Sequence, residues 1–421
     1  MTDPLLDELQ WRGLIHDQTP GLAGRLSRGS VAGYVGFDPT ARSLQIGNLV
    51  PVMLLAHLQR TGHRPLVVIG GGTGLIGDPS GKSEERPLLS EDAVTENVAL
   101  QRKQFERFLD FGPGRAGAQM VDNAAWLGKL QLVPFLRDIG KHFTVAGMLQ
   151  KESVKSRMQD GISYTEFTYM LLQAYDFLHL FRDHDCELQL GGSDQWGNIT
   201  AGIDLIRRLE GGEAHGLSAP LVAMASGKKF GKSETGAVWL DPELTSPYTF
   251  YQFWINADDR DLDSFLKIFT FMTRDEITRL LADHRETPER RQAQRALAYD
   301  VTERVHGADA ANRARDASAV LFGELDPHSA TAPTWETLRA ELPSAEIELG
   351  EGLTNVDLVA AVGLAKSKSE ARRLLSQGGL YRNGEKLPAE GKTTRDHVLA
   401  GNYIWLRRGK KTDAIAFISS P

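Results

Sequence analysis

Tyr34-Val35-Gly36-Phe37-Asp38-Pro39-Thr40, followed after four intervening residues by Gln45-Ile46-Gly47-Asn48, decides how this chain folds. The run from Val31 to Phe37 has the length and apolar content of a buried strand. Asp38-Pro39-Thr40 breaks it, and a helical pattern follows from about Gly47 to Arg60. Outward from this unit, Arg64 to Gly70 reads as a second buried strand. Further strands are expected at Gln119 to Asp122, Glu187 to Leu190 and Pro220 to Met224. Helical patterns alternate with them at about Glu91–Leu109, Leu132–Ile139, Thr165–Leu180 and Gln195–Leu209. Such alternation predicts an α/β domain with a parallel, doubly wound, Rossmann-like sheet. A helix and a Gly-rich link precede it, within residues 1 to about 29.

Beyond about Lys232 the pattern becomes helical through Phe322. Asp326 to Gly352 holds three prolines and little periodicity, and reads as a linker. Two short helices (Val356–Val362 and Lys368–Gln377), a turn at Asn383-Gly384 and a strand at Tyr403–Arg407 close the chain. At 421 residues, with 41% hydrophobic and 24% charged side chains, two or three ordinary globular domains are expected. The one cysteine, Cys186, excludes an internal disulfide framework and a multi-cysteine zinc site. No signal-like start and no run of about 18 apolar residues is found, so a cytoplasmic protein without membrane association is expected. The net charge of -7 argues against indiscriminate coating of nucleic acid. Thr354 to Pro421, however, carries 12 Lys and Arg against 6 Asp and Glu, from which RNA contact confined to a few surfaces is expected.

Three segments bear on chemistry. Gly72-Thr73-Gly74-Leu75-Ile76-Gly77 matches a dinucleotide fingerprint literally, but Asp78-Pro79-Ser80-Gly81 follows where that fingerprint needs a helix. The adjoining Gly81-Lys82-Ser83 lacks the first glycine of a P-loop, since Ile76 stands there. The loop instead lets backbone and Asp78 approach a small polar ligand. At Gln45 to Asn48 a helix N-terminus offers unpaired N–H groups and a positive dipole end to a polyphosphate. Gly47 there leaves room for an adenine ring against the backbone. Lys228-Lys229-Phe230-Gly231-Lys232-Ser233 places lysines around a glycine, able to fold over a departing pyrophosphate.

Together these segments resemble the class I aminoacyl-tRNA synthetases, whose signatures are His-Ile-Gly-His and Lys-Met-Ser-Lys-Ser. Here they read Gln45-Ile46-Gly47-Asn48 and Lys229-Phe230-Gly231-Lys232-Ser233. The second form is similar to the bacterial-type tyrosyl branch. So are Tyr34 to Thr40, Gly161-Ile162-Ser163-Tyr164-Thr165-Glu166-Phe167 and Gly191-Gly192-Ser193-Asp194-Gln195-Trp196-Gly197-Asn198. The tail from Ala361 to Gly384 resembles an S4 RNA-binding domain. The resemblance implies a catalytic domain at 1–228, with a dimer-interface insertion around 125–162. A helical domain at 229–325, the linker at 326–352 and a small α+β S4-type domain at 353–421 then follow.

The resemblance also implies roles. Tyr34 and Asp176 receive a phenol hydroxyl; Asp78, Tyr169 and Gln173 hold the substrate ammonium, with Gln195 beside them. Asp38, Thr40, Gly47, Asn48, Gly192, Asp194 and Lys232 contact ATP. Thr40, Gln45, Asn48, Lys82, Arg86, Lys229 and Lys232 stabilise the reacting phosphates. ATP with Mg²⁺, L-tyrosine and tRNA(Tyr) are the implied partners of a homodimer, with no tightly bound cofactor and no resident metal. The residues support the amino-acid assignment separately: Tyr169, Gln173 and Asp176 stand at i, i+4 and i+7, one polar stripe on an otherwise apolar helix. A site built to bond a hydroxyl rejects the analogue lacking it, since its own polar groups would be left unpaired. Two readings compete: a tryptophanyl enzyme of the same fold, and a synthetase-derived RNA-binding protein that has lost catalysis, which Gln45 in place of histidine would fit.

Overall fold

The computed structural model describes residues 3–80, 90–151, 154–155, 158, 161–227, 230–233, 236–349, 353–409 and 412–419. Two compact units divide the chain. The first holds residues 1–245 and 257–297, the second 246–256 and 298–421. This differs from the division expected at 228/229 and 325/326.

The first unit is built on a six-stranded sheet of β1 (Asp17–Gln18), β2 (Ala32–Phe37), β3 (Arg64–Ile69), β4 (Gln119–Asp122), β5 (Cys186–Gly192) and β6 (His215–Ala219), in the order β1-β6-β5-β2-β3-β4. All neighbours pair in parallel except β1, which runs antiparallel to β6. The chain therefore winds outward from β2 to β4, returns, and winds the other way from β5 to β6. The crevice beyond the carboxyl ends of β2 and β5 is the switch point where doubly wound sheets bind ligands.

Helices α1 (Pro4–Trp11), α2 (Leu49–Arg60), α3 (Glu91–Phe105), α4 (Tyr164–His184) and α5 (Trp196–Glu210) belong to this unit. Ser163 starts α4 with a capping box: its hydroxyl accepts from Glu166 N at 3.2 Å, and Glu166 Oε2 accepts from Ser163 N at 3.4 Å. Asp185, at φ 50°, ends it in the left-handed region. Phe177 and Leu178 of α4 and Leu205 and Ile206 of α5 are buried in one core with Leu66 and Val68 of β3.

One expected strand is corrected. Pro220–Met224 is not a strand; β6 lies just before it, at His215–Ala219. Its Gly, Ser and Ala carry little strand preference of their own. Gly216 is there because the sheet is crowded: a Cβ on it would lie 2.4 Å from Ile199 Cγ2 of α5.

The second unit contains α6 (Pro247–Ile255), α7 (Ala308–Leu321) and α8 (Ala332–Glu341), and a five-stranded sheet flanked by α9 (Asn355–Ala361) and α10 (Lys368–Ser376). Besides two short strands at Lys232–Ser233 and Gly236–Ala237 (β7 and β8, a ribbon of the first unit), the strands are β9 (Ser344–Glu348), β10 (Leu380–Arg382), β11 (Glu385–Lys386), β12 (Tyr403–Arg408) and β13 (Thr412–Ser419), ordered β11-β10-β12-β13-β9. The 326–352 linker is thus corrected too. Pro327 opens a 3₁₀ turn, Pro333 sits in the first turn of α8, and Pro343 follows its end, so the prolines punctuate elements. Trp335 and Leu338 of α8 are fully buried with Trp405 and Ile415, and β9 pairs in parallel with β13.

Candidate active site

A cavity of about 950 Å³ opens at the switch point of the first unit. Tyr34, Asp38, Thr40, Gln45, Gly47, Asn48, Asp78, Tyr169, Gln173, Asp176, Gly192, Asp194 and Gln195 all line it. They come from distant segments: the end of β2 and its turn, the loop after β3, the stripe on α4, and the end of β5. Among the other expected residues, Lys232 lies on β7 and is exposed, two residues along the chain from cavity-lining Phe230. Lys82, Arg86 and Lys229 lie outside the described residues.

At the cavity's inner end Tyr34 is 1% exposed, its ring edge-on to Phe177 at 5.3 Å, and its hydroxyl has no partner among the described residues. Burial and the neighbouring Asp176 push that hydroxyl's pKa well above the ordinary tyrosine value. Gln189, the register partner of Tyr34 on β5, also lines the cavity, and its buried Oε1 is unpaired among the described residues. Unpaired polar atoms at such depth cost free energy unless something satisfies them. The natural candidate is a ligand with a polar group that reaches the floor.

Asp176, 3% exposed, is braced from behind: Oδ2 accepts from Asn123 Nδ2 at 2.8 Å, and Oδ1 from Trp126 Nε1 at 2.7 Å. Burial raises its pKa to about 7, against those two hydrogen bonds, which favour the charged form. Asn123 Oδ1 accepts from Gly72 N at 2.8 Å, which fixes the orientation of its amide. Its Nδ2 also donates to Thr73 Oγ1 at 2.9 Å; Thr73 donates to Asp38 Oδ1 at 2.9 Å; Tyr169 Oη donates to Asp38 Oδ2 at 3.1 Å. One polar network therefore runs along the wall from Trp126 to Tyr169. A second links Asn198 to Gln173 at 2.9 Å, and Gln195 Nε2 to Asp78 Oδ2 at 2.7 Å. Four carboxylates line this wall (Asp38, Asp78, Asp176 and Asp194), a setting that favours a cation such as an ammonium.

Asn123, Trp126 and Gln189 escape sequence reasoning. The first two sit just past β4, where a polar or aromatic residue has no periodic signature; only the sheet order brings them against α4. Gln189 looks like a strand residue interrupted by chance.

The outer half of the cavity faces the turn after β2. At Gly47 a Cβ would meet nothing within 4 Å among the described residues, so flat open backbone is presented. Asn48 Oδ1 accepts from Gln45 N at 2.9 Å, which leaves its amide NH₂ for a ligand. The segment following the second signature is stitched to this turn: Ile46 N donates to Val238 O, and Leu240 N to Leu44 O, both at 2.9 Å. Gly231 (φ 84°) packs so near Ile46 that a Cβ would sit 2.9 Å from its Cγ2. The two signatures, some 185 residues apart in sequence, are in direct contact.

Residues 26–323 match the family model for class I tRNA synthetases (W and Y), and residues 335–415 match the tyrosine–tRNA ligase SYY-like C-terminal domain. The chain is 54% identical to a tyrosine–tRNA ligase of Anaeromyxobacter dehalogenans, over 98% of both chains. It is 50% identical to that of Bacillus caldotenax, covering 97% of this chain and 98% of the relative. Among solved structures, a C-terminally truncated mitochondrial tyrosyl-tRNA synthetase of Aspergillus nidulans aligns with a TM-score of 0.68 at 30% identity, over 76% of this chain and 94% of that one.

Proposed function

This chain belongs to the class I tRNA synthetases, in the family of the tryptophan and tyrosine enzymes, and from that premise we propose how its cavity performs the tyrosine–tRNA ligase reaction. The observation that carries the reading is the buried floor: an unpaired Tyr34 hydroxyl beside a carboxylate braced by Asn123 and Trp126. A phenol O–H donates to Asp176 and accepts from Tyr34, which satisfies both. Phenylalanine leaves the pair unsatisfied, and an indole N–H cannot accept from Tyr34. The ammonium lies against Asp78, Tyr169 and Gln173, with Gln195 orienting Asp78.

The tyrosine carboxylate then points toward Thr40 and Gly47, where ATP binds. A carboxylate oxygen attacks the α-phosphorus, the bond to the bridging oxygen breaks, and pyrophosphate leaves. The 3′-terminal ribose hydroxyl of the tRNA next attacks the carbonyl carbon and releases AMP. No protein nucleophile is required; holding the reactants in line and stabilising phosphate charge supply the acceleration. Thr40, Gln45 and Asn48 stabilise the phosphates, joined in that role by Lys82, Arg86, Lys229 and Lys232. Mg²⁺ arrives as the counter-ion of ATP, carried on its phosphates.

A homodimer fits the exposed apolar residues of the short helices Leu132–Asp138 and Val145–Leu149, where Leu132 is 71% and Val133 73% exposed. The basic tail supports tRNA binding through phosphates. No helix among the described residues is long and apolar enough to cross a membrane, in keeping with a cytoplasmic enzyme. ATP–pyrophosphate exchange tests the core of this reading. L-Tyrosine should drive it, and phenylalanine and tryptophan far less; equal rates would refute phenol recognition, and no exchange would favour the non-catalytic reading.

A further inference from the structure

The turn that carries Thr40 is held by a helix with no assigned part in the reaction. On α3, Asn97, Gln101 and Gln104 stand at i, i+4 and i+7, so they share one face. Asn97 Nδ2 donates to Pro39 O at 2.8 Å, and Gln101 Nε2 donates to Ala41 O at 2.8 Å. Gln104 does both: its Oε1 accepts from Leu44 N at 2.9 Å, and its Nε2 donates to Ser43 Oγ at 3.0 Å. The carbonyls on either side of Thr40 are therefore fixed by α3, while the Thr40 side chain remains exposed on the cavity wall. The same turn is gripped from its other side, where Ser43 Oγ accepts from Asp241 N at 3.0 Å and Leu44 O from Leu240 N at 2.9 Å.

Gln101 is the central member. It is 2% exposed and lines the cavity, and its Oε1 has no partner among the described residues. Flipping the amide would set Oε1 against Ala41 O, two acceptors face to face, so the observed orientation is the only one its partner allows. A buried amide costs free energy that an apolar side chain of equal size would avoid. That cost has a return if the position of Ala41 O matters. Past the ring of Pro39, a turn of Thr, Ala, Arg and Ser has little intrinsic rigidity, and phosphate stabilisation depends on where the Thr40 hydroxyl stands.

We propose that Asn97, Gln101 and Gln104 form an amide clamp that positions Thr40 for the phosphates of ATP, making α3 a positioning element for tyrosine activation. This rests on the phosphate role given to Thr40. The described hydrogen bonds of the three go to Pro39, Ala41, Ser43 and Leu44, none of them a residue given to tyrosine, so the clamp acts on adenylate formation and leaves tyrosine affinity alone.

The test is a double-mutant cycle on the full-length protein, with pre-steady-state adenylate formation as the rate and intrinsic fluorescence for tyrosine affinity. Gln101→Met keeps volume and removes the donor to Ala41; Asn97→Ala, at a partly exposed position, removes the donor to Pro39 with less risk to folding. Each should slow adenylate formation at saturating ATP·Mg²⁺ by about tenfold, the scale of a small misplacement of a catalytic group. The tyrosine dissociation constant should stay within about twofold. In a Thr40→Ala background each substitution should cost less than about twofold, since the clamp then has nothing left to position. The same loss in both backgrounds, or a parallel loss of tyrosine affinity, overturns the clamp. If Thr40→Ala slows the step and both clamp variants match the parent, the clamp alone is wrong. If Thr40→Ala changes nothing, the phosphate role of Thr40 falls and takes the clamp with it. Should Gln101→Met fail to fold, the Asn97→Ala cycle decides by the same criteria.

Discussion

Asp176→Asn should perturb the phenol recognition proposed above while keeping the shape of the floor. Both carboxylate oxygens already accept a protein hydrogen bond, from Asn123 at 2.8 Å and Trp126 at 2.7 Å. An amide offers one acceptor and one donor in the same place, so one of those N–H groups must face another N–H. The unpaired buried donor costs roughly 1–3 kcal/mol, and it does so with or without substrate, so this part appears in stability. Recognition loses the anionic acceptor of the phenol. A hydrogen bond to a charged group contributes about 1.5–3 kcal/mol, so kcat/KM for tyrosine should fall about 10- to 150-fold.

A pH signature accompanies this loss. Burial holds the Asp176 carboxyl up at about 7. A phenol donates best to the carboxylate, so the parent should bind tyrosine more weakly as pH drops from 8 to 6, whereas the asparagine variant should show no such slope. Stability runs the opposite way. Between the unperturbed value of 3.8 and about 7, the folded state keeps a proton that the unfolded chain has lost. The ionisation penalty is therefore full above pH 7 and relieved as pH falls, and the parent's Tm should rise relative to the variant's between pH 8 and 5. ATP–pyrophosphate exchange and fluorescence titration across that range measure the first effect, and thermal melts the second. Unchanged tyrosine kcat/KM, or the same pH slope in both proteins, would refute the argument.

Gln45→Ala should slow adenylate formation by roughly 2–4 kcal/mol with little change in tyrosine affinity, as expected for deleting one phosphate donor used mainly in the transition state. Stopped-flow rates equal to the parent's would make Gln45 a bystander and shift the work to Thr40, Asn48 and the lysines. Gly216→Val should destabilise the first unit by about 1–3 kcal/mol or more, because even its Cβ would meet Ile199 Cγ2 at 2.4 Å; a denaturant midpoint equal to the parent's would contradict this. A chain ended after Asp326 keeps every residue of the cavity and should form tyrosyl-adenylate, yet charge tRNA poorly and with a weaker salt dependence. It should also bind a hydrophobic dye, since Ala317 and Val320 of α7 lose the cover of α8; full charging, or no added dye binding, would show the removed part to be dispensable.

Much of this enzyme is legible along the chain because its signals are local. The Val31–Thr40 strand and turn, the helix beginning near Gly47, and the stripe of Tyr169, Gln173 and Asp176 each follow from spacing or composition within a few residues. The same holds for the hairpin at Asn383-Gly384, where φ values of 52° and 88° suit those two residues. What the sequence could not disclose is whatever depends on a neighbour far along the chain. β6 is a strand because it is paired on both sides and packed under α5, and β9 because β13 lies beside it, against their weak local preference. Asn123 and Trp126 become part of the site only when β4 and α4 meet. The amide clamp likewise looks in sequence like the solvated face of a charged helix, and only packing turns it toward the turn after β2. Local periodicity records which face of an element is buried; what that face is buried against is decided by the sheet order, which no single segment contains.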